Sequence, residues 1–497
     1  MSPDKTANYV AFTHCWGSAK SLKLLKNNQE HLCTGIQVRD LPQSYQEAIA
    51  TCLGLELEFI WIDSLCIIQD SETDWQQEAA TMGTLYGSAA LNLCAAAAAD
   101  NSEASFTARD LSLINPLRIS CDWEGEGKGE FNVVSIDLQF VDIRSSPLRS
   151  RGWIFQEMSL SSSSLLLGRM QLWWHCREKL ACDTFPDGLP KVFSSFWLAD
   201  VESIKDKNHE TPADRDQWRA MWHARCRQYT QTKFTKERDR LIAFSGVVQK
   251  FQNTYAIPND YVAGLWRFEL PAALCWSVSG IGKVSRSPEY KAPSWSWMSL
   301  DGPINLNGVG GSVETQTCCS VEQLWLHHLD ETHITGLLRG GALKLRGHLI
   351  GPSTIHSDGV LTYELVTEAH DASDTIRKDR VFGLGWDEKD TNSAGMISYL
   401  DNLDPDRCQR GFIDEAVRRI ISTKHADGSI FYLPITHKQN EPNGTWSLNG
   451  IILYQAPNQP KVFHRINDYV LQCSEGTHDN FMAKLSIQHP MRSILIL

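Results

Sequence analysis

The first hundred or so residues alternate between short apolar runs and segments with helical spacing, and this alternation limits the fold more than any other feature. Residues 8–13 give a strand candidate, 19–32 a Lys/Leu helix and 35–38 a short strand. A second helix opens at Leu41-Pro42-Gln43-Ser44-Tyr45, where proline suits the first turn. Tyr45, Ala48, Ile49 and Cys52 keep helical spacing, and Gly54 ends it. Phe59-Ile60-Trp61-Ile62 is continuously apolar, as expected of a strand buried on both faces. Residues 72–87 form a third helix and 90–94 a fourth strand. Strands alternating with helices predict a parallel sheet with right-handed crossovers.

At 497 residues the chain is too long for one ordinary core. The pattern predicts an α/β domain over 1–185, a mainly helical extension over 186–285 and a β-rich region over 286–497. The last rests on short apolar stretches such as 342–350, 430–435 and 450–455, separated by Gly, Asn and Asp. Residues 101–150 are a polar, partly Gly-rich excursion with some strand. An apolar content of 42 % with 21 % charged residues is that of a globular chain.

No run of about 18 apolar residues is present, so no membrane span is expected. Met1 to Asn8 lacks a basic-then-apolar signal pattern, and the core character of Tyr9 to Phe12 leaves room for almost no leader. A net charge of −12 without a long Lys/Arg cluster speaks against nucleic-acid binding. Fourteen scattered cysteines suit reduced thiols and a cytoplasmic location. Cys318-Cys319 precede His327, His328 and His333, but without a C-x2-C pair they read as buried cysteines beside surface histidines, and no metal is expected.

The third helix carries the sharpest chemical clue. Trp75, Glu78, Ala79, Met82, Leu85 and Tyr86 fall on one helical stripe, and Glu78 is its only charge. A carboxylate facing a core is paired, protonated or used. Arg151 is the natural cation for a purely structural pair. In open parallel sheets, ligands bind outside the carboxyl ends of the strands. Those ends supply Thr13-His14-Cys15-Trp16-Gly17-Ser18 and Asp63, Ser64 and Cys66. Taken singly, each has an ordinary role. His14 can satisfy a strand-end carbonyl, Trp16 and Trp75 can pack, Cys15 and Cys66 can be small buried hydrophobes, and Asp63 and Asp70 can cap turns. Their clustering at strand ends points to a site.

These blocks resemble the fungal heterokaryon-incompatibility (HET) domain family. The family's blocks stand here as Thr13-His14-Cys15-Trp16-Gly17, Leu41-Pro42-Gln43-Ser44, Trp61 through Asp70, Asp74-Trp75-Gln76-Gln77-Glu78, and Arg151-Gly152-Trp153 with Gln156-Glu157. Asp239-Arg240-Leu241 and Ala292 through Trp297 look like extensions of the same family. Two departures stand out. Met158 and the Ser161–Ser164 run replace an expected Arg and Ser-x-Arg, and His175 replaces Glu in a Trp-Glu-Cys motif.

The resemblance implies a TIR-like or flavodoxin-like sheet, since HET domains are similar to TIR domains, and a role as a cell-death effector. TIR domains that cleave NAD keep a glutamate in an Asp-Trp-x-x-Glu setting, which Glu78 matches. By that likeness NAD is a substrate and no cofactor is needed. Glu78 would stabilise an oxocarbenium-like ribose. Trp16 or Trp75 would stack on a base, while His14, Ser18 and the amides near Gly17 would meet phosphate. Asp63 and Arg151 would order the pocket; Ser64, Asp70, Trp153, Gln156 and Glu157 complete the substrate-binding set. Two other readings stay open. One is an enzyme recruited to fungal secondary metabolism through His14, Cys66 and Asp63. The other is a non-catalytic module acting by self-association or through a recognition partner.

Overall fold

The structure is a computed structural model. It describes residues 7–17, 22–123, 127–135, 142–143, 145–176, 178–190, 215–255, 257, 260–278, 285–286, 289–306, 315–331, 334–355, 361–362, 430–440, 445–455, 462–473 and 475–497. Two compact units emerge. One holds residues 1–211, 232–235 and 242–258; the other holds 212–231, 236–241 and 259–497.

In the first unit the elements run β1 (Tyr9–Thr13), α1 (Gln29–Cys33), α2 (Gln43–Gly54), β2 (Phe59–Trp61), α3 (Asp63–Cys66), α4 (Glu72–Ser88) and β3 (Leu91–Cys94). There follow α5 (Leu111–Ile114), a hairpin of β4 (Leu117–Trp123) and β5 (Gly127–Val133), α6 (Gly152–Leu160), β6 (Ser163–Leu167), β7 (Leu172–Cys176), β8 (Leu180–Cys182) and α7 (Ile242–Tyr255). The main sheet has the order β2-β1-β3-β6-β7-β8. Pairings β1–β2, β1–β3 and β3–β6 are parallel; β6–β7 and β7–β8 are antiparallel. The sheet is therefore mixed, not wholly parallel. The strand order reverses direction at β1, which places a switch point beside the carboxyl ends of β1 and β3.

Alternation along β1 sends Val10 and Phe12 to one face, where Tyr45, Ala48 and Cys52 of α2 cover them. Thr13 goes to the opposite face, where it meets side chains of α4 and α6. Helix α4 starts at Ser71, whose hydroxyl accepts from the Asp74 amide, and Glu72 and Asp74 complement its first turn. Its buried stripe is Ala79, Met82 and Tyr86. Glu78 lies at the margin of that stripe, half-buried, and does not face the core. A Cβ on Gly83 would come within 3.2 Å of the Gly246 backbone, so glycines set the close approach of α4 to α7.

Three expectations change. Only Gln29–Cys33 is helical within 19–32 among the described residues. The segment before it spends its backbone elsewhere: Leu24 N donates to Ser64 O and accepts from Gln69 N through its carbonyl, both at 2.9 Å. Asn28 then closes a turn with Leu25 N and Lys23 O, a side-chain competitor to helix formation. Residues 35–38 form no strand; Val38–Asp40 is a short 3-10 turn. Finally, β2 is half-buried throughout because it lies at the edge of the sheet, and the fourth parallel strand is β6.

The second unit is β-rich. Its sheet runs Cys319–His328, Leu338–Gly347, Arg492–Ile496, Val462–Cys473, Thr445–Gln455, Ile430–Asn440, Ile350–Ile355 and Leu361–Thr362, with Gln316–Thr317 also on Ile430–Asn440. These pairings are antiparallel except Val462–Cys473 with Arg492–Ile496. Trp266, Trp276, Trp295 and Trp297 are fully buried, so these four are core. Among the described residues no helix is long and apolar enough to cross a membrane.

Candidate functional site

Two neighbouring residues at the end of β1 serve opposite faces of the sheet. On the α2 face, His14 is buried and stacks on Phe12 at 4.9 Å. Its Nε2 lies 2.8 Å from the Tyr45 hydroxyl, which lies 2.8 Å from Ser64 Oγ. Burial pushes the imidazole's pKa down, against Asp63, which lifts it, and a hydrogen bond to the Phe12 carbonyl, which also lifts it. A neutral ring that donates to Phe12 leaves Nε2 as an acceptor for Tyr45. The chain thus runs from the Ser64 hydroxyl through Tyr45 to His14.

Asp63 borders this chain. One carboxylate oxygen accepts from Trp16 Nε1 at 2.8 Å. The other accepts from Ser64 N at 2.7 Å and sits 3.8 Å from His14 Nε2. Lys23 lies over the Trp16 ring, 4.5 Å from its centre. Gly17 has φ of +64°, and a Cβ there would overlap Asp100, so the turn after Trp16 requires glycine. Arg151 holds this turn from the other side, donating from Nη1 to the His14 carbonyl at 2.7 Å. The expected ion pair between Arg151 and Glu78 does not form. Gly152 is explained by packing: a Cβ would strike the Phe234 ring.

On the opposite face, Thr13 Oγ1 is 2.6 Å from Glu157 Oε2 and 2.9 Å from Asn92 Oδ1. The Tyr86 hydroxyl donates to the same Glu157 oxygen at 2.9 Å. Burial pushes the Glu157 carboxyl up to about 7, although the Thr13 and Tyr86 hydroxyls and Arg151 pull it down. Glu157 therefore lies inside the fold beneath the strand end. Gln156 is fully buried too, and its Oε1 accepts from Gly246 N at 3.2 Å, tying α6 to α7.

Helix α4 supplies the remaining groups. Trp75 meets Trp153 edge-on, 6.2 Å between centres, and both are half-buried. Desolvation, then Asp74, push the Glu78 carboxyl above its ordinary range. Among the described residues no cation pairs with it. Desolvation of the Cys66 sulfur, with Asp63 and Glu78 as charged neighbours, pushes that thiol up as well. A desolvated thiol with negative neighbours is a poor thiolate.

Asp70 is exposed and accepts from Lys26 N at 2.9 Å, which makes it a loop anchor. Ser18 and His333 lie outside the described residues. Tyr45, Tyr86 and Asn92 are polar partners that pattern reading passes over. The asparagine inside the apolar run Leu91-Asn92-Leu93-Cys94 is the one sequence signal that could have found them. No group of three His, Cys, Asp or Glu among the described residues is placed to hold a metal ion.

No curated protein and no solved structure matches the chain. A family model does match, described as Heterokaryon incompatibility protein (HET), over residues 9–157. That span runs from β1 to Glu157 and takes in Trp16, Asp63, Glu78 and Arg151, and this part of the chain is a HET domain.

Proposed function

We propose that the HET domain cleaves the nicotinamide–ribose bond of NAD and acts as a cell-death effector of incompatibility, with Glu78 as its key carboxylate. The observation that carries the reading is the setting of Glu78: half-buried, raised by desolvation, and without a cation partner among the described residues. A half-buried carboxylate without a cation keeps its charge open to a ligand. The strand order 2-1-3 beside the site is also that of TIR-like and flavodoxin-like sheets, in which this crevice takes ligands.

In the reaction, the carbon–nitrogen bond breaks and its electron pair leaves with neutral nicotinamide. Water adds to the ribose carbon and gives up a proton. The developing positive charge on ribose needs a nearby anion more than a strong acid. Glu78 supplies that charge. Asp63 is committed to Trp16 and Ser64, so it orders the pocket. The Trp16 and Trp75 rings offer flat faces for a base.

The thiol reading loses support. Cys66 has its pKa pushed up, and the His14 Nε2 that a base would use is occupied by Tyr45. The test is incubation of the full chain with NAD at low and high protein concentration, following nicotinamide by chromatography. Release by wild type, abolished in Glu78→Gln and kept in Cys66→Ser, is expected. Absence of release at both concentrations from folded protein would sink the reading and favour a module that works by assembly.

A further inference from the structure

We propose that Glu157 works as a neutral carboxylic acid and that, by donating its proton to Thr13, it positions the end of β1 for the strand-end site. The inference goes beyond the NAD reading, because it holds for whatever ligand that site takes.

A count of protons carries it. Thr13 Oγ1 has two close oxygen neighbours, Glu157 Oε2 at 2.6 Å and Asn92 Oδ1 at 2.9 Å. A threonine hydroxyl has one proton. If Glu157 were ionised, both neighbours would be pure acceptors, and one contact would set oxygen against oxygen with nothing between. A protonated Glu157 removes the conflict. Its proton goes to Thr13, the Thr13 proton goes to Asn92 Oδ1, and Tyr86 donates to the acid. Turning the Asn92 amide over is the alternative arrangement, and it gives up a contact to Glu157. Its Nδ2 faces the Glu157 main-chain carbonyl at 3.5 Å, and the reversed amide would point an oxygen at that carbonyl.

The surroundings agree. Thr13 reaches Glu157 from β1, Asn92 from β3 and Tyr86 from α4. Asp63 opposes a second negative charge; Arg151 favours one, but it forms no ion pair with Glu157 and donates instead to the His14 carbonyl. Cys15 and Tyr86 are the other titratable neighbours, and burial pushes both up, so neither brings a charge. A buried carboxyl served only by neutral hydroxyls is cheaper to keep protonated than ionised.

The consequence reaches the site through the strand. Thr13 is the last residue of β1 and pairs with Cys94. His14 and Trp16 follow it directly. Loss of the Glu157 proton forces Thr13 to swing its own proton from Asn92 to Glu157, which breaks the tie to β3 just below them. Glu157 is accordingly a positioning residue.

Two readouts on the full chain test this. The first is infrared titration with carboxyl-labelled glutamate. A protonated-carboxyl band is expected to survive well above the ordinary glutamate range and to vanish with a midpoint of about 7, and it should be missing from Glu157→Gln. The second is fluorine NMR of fluorotryptophan protein, with the Trp16 signal assigned through Trp16→Phe. That signal should move with the same midpoint in wild type and hold still in Glu157→Gln. Should Glu157→Gln fail to fold, Tyr86→Phe removes a donor to the carboxylate and is expected to shift both midpoints upward together. A wild-type protein without the band above the ordinary range would overturn the neutral acid. A Trp16 signal indifferent to that titration would overturn the positioning.

Discussion

Buried carboxylates occur in both units, and they are neutralised in different ways. In the second unit they are met by cations. Glu269 takes Arg219 through both oxygens, at 2.7 and 3.2 Å. Lys291 sits between Glu237 and Asp301, with Arg240 on the same pair of carboxylates. In the HET domain the partners are uncharged: indole and amide for Asp63, two hydroxyls for Glu157, and no described cation for Glu78. The cations nearby go elsewhere, Arg151 to a carbonyl and Lys23 to an indole face. Asp468 is an intermediate case in the second unit, pushed up to about 7 by burial with Arg465 pulling it down. Paired carboxylates lock a fold, whereas carboxylates left with neutral donors keep charge available for a ligand or a proton.

The largest effect expected from this difference is in the second unit. Arg219→Met strands Glu269 in a buried site and should cost about 3–5 kcal/mol, read from the urea transition. Glu78→Gln should behave in the opposite way. It strands nothing, so stability should stay within about 0.5 kcal/mol, while nicotinamide release falls by about two to three orders of magnitude. A large stability loss in Glu78→Gln would place Glu78 with the paired carboxylates and erase the contrast.

Next in size is a pH effect. Glu157 has a folded-state pKa of about 7 against an ordinary 4.5. The folded protein therefore binds more protons than the unfolded chain between those values. Its stability falls as pH rises through that window and levels off above it, by at most roughly 3 kcal/mol. Glu157→Gln should flatten this limb in denaturant titrations at a series of pH values. Asp301, raised to about 6 within the Lys291 cluster, should add a loss from its ordinary 3.8 upward, which the lowered Glu237 carboxyl beside it partly offsets. The windows overlap between about 4.5 and 6, so Glu157→Gln tells them apart by removing only the higher limb.

What was legible in the sequence follows from range. β1, α2, α4 and β3 could be drawn because their patterns are local: continuous apolar runs, and a stripe begun by Ser71. Their order put His14, Trp16 and Asp63 at strand ends. β2 reads as buried on both faces because an apolar run cannot say whether its strand is central or at an edge. The 19–32 segment has good helix composition, but its backbone is taken by residues 64–69. The Ser161–Ser164 run concealed β6, where Ser164 and Leu166 are nevertheless buried. The Thr13–Glu157 contact spans 144 residues, and the hydroxyls of Tyr45 and Tyr86 are chemical groups on residues that pattern reading counts as apolar. Elements were readable from period, but the contacts beneath the end of β1 needed the three-dimensional partners.

A smaller effect is expected at Tyr45. Tyr45→Phe leaves the ring contacts with Phe12 and His14 but removes the hydroxyl that joins His14 Nε2 to Ser64 Oγ. Both partners are buried, so the loss should be about 1–2 kcal/mol in thermal or urea unfolding. A neutral result would mean that another donor takes the vacated place.

The smallest effect tests how the HET domain uses its spare cations. Lys23 lies over the Trp16 ring while Asp63 accepts from that indole's N–H. An anion at the N–H edge draws positive charge there and leaves the ring face more negative, so the carboxylate should strengthen the cation's hold without touching it. Lys23→Met should cost about 0.5–1 kcal/mol, and less in high salt, since the pair is only half-buried. Asp63→Asn should shrink that cost, because the polarising charge is gone. A double-mutant cycle over Lys23 and Asp63 reads the coupling. If the two losses add, Lys23 rests on Trp16 as packing alone, and the site's spare cation is not tied to its spare carboxylate.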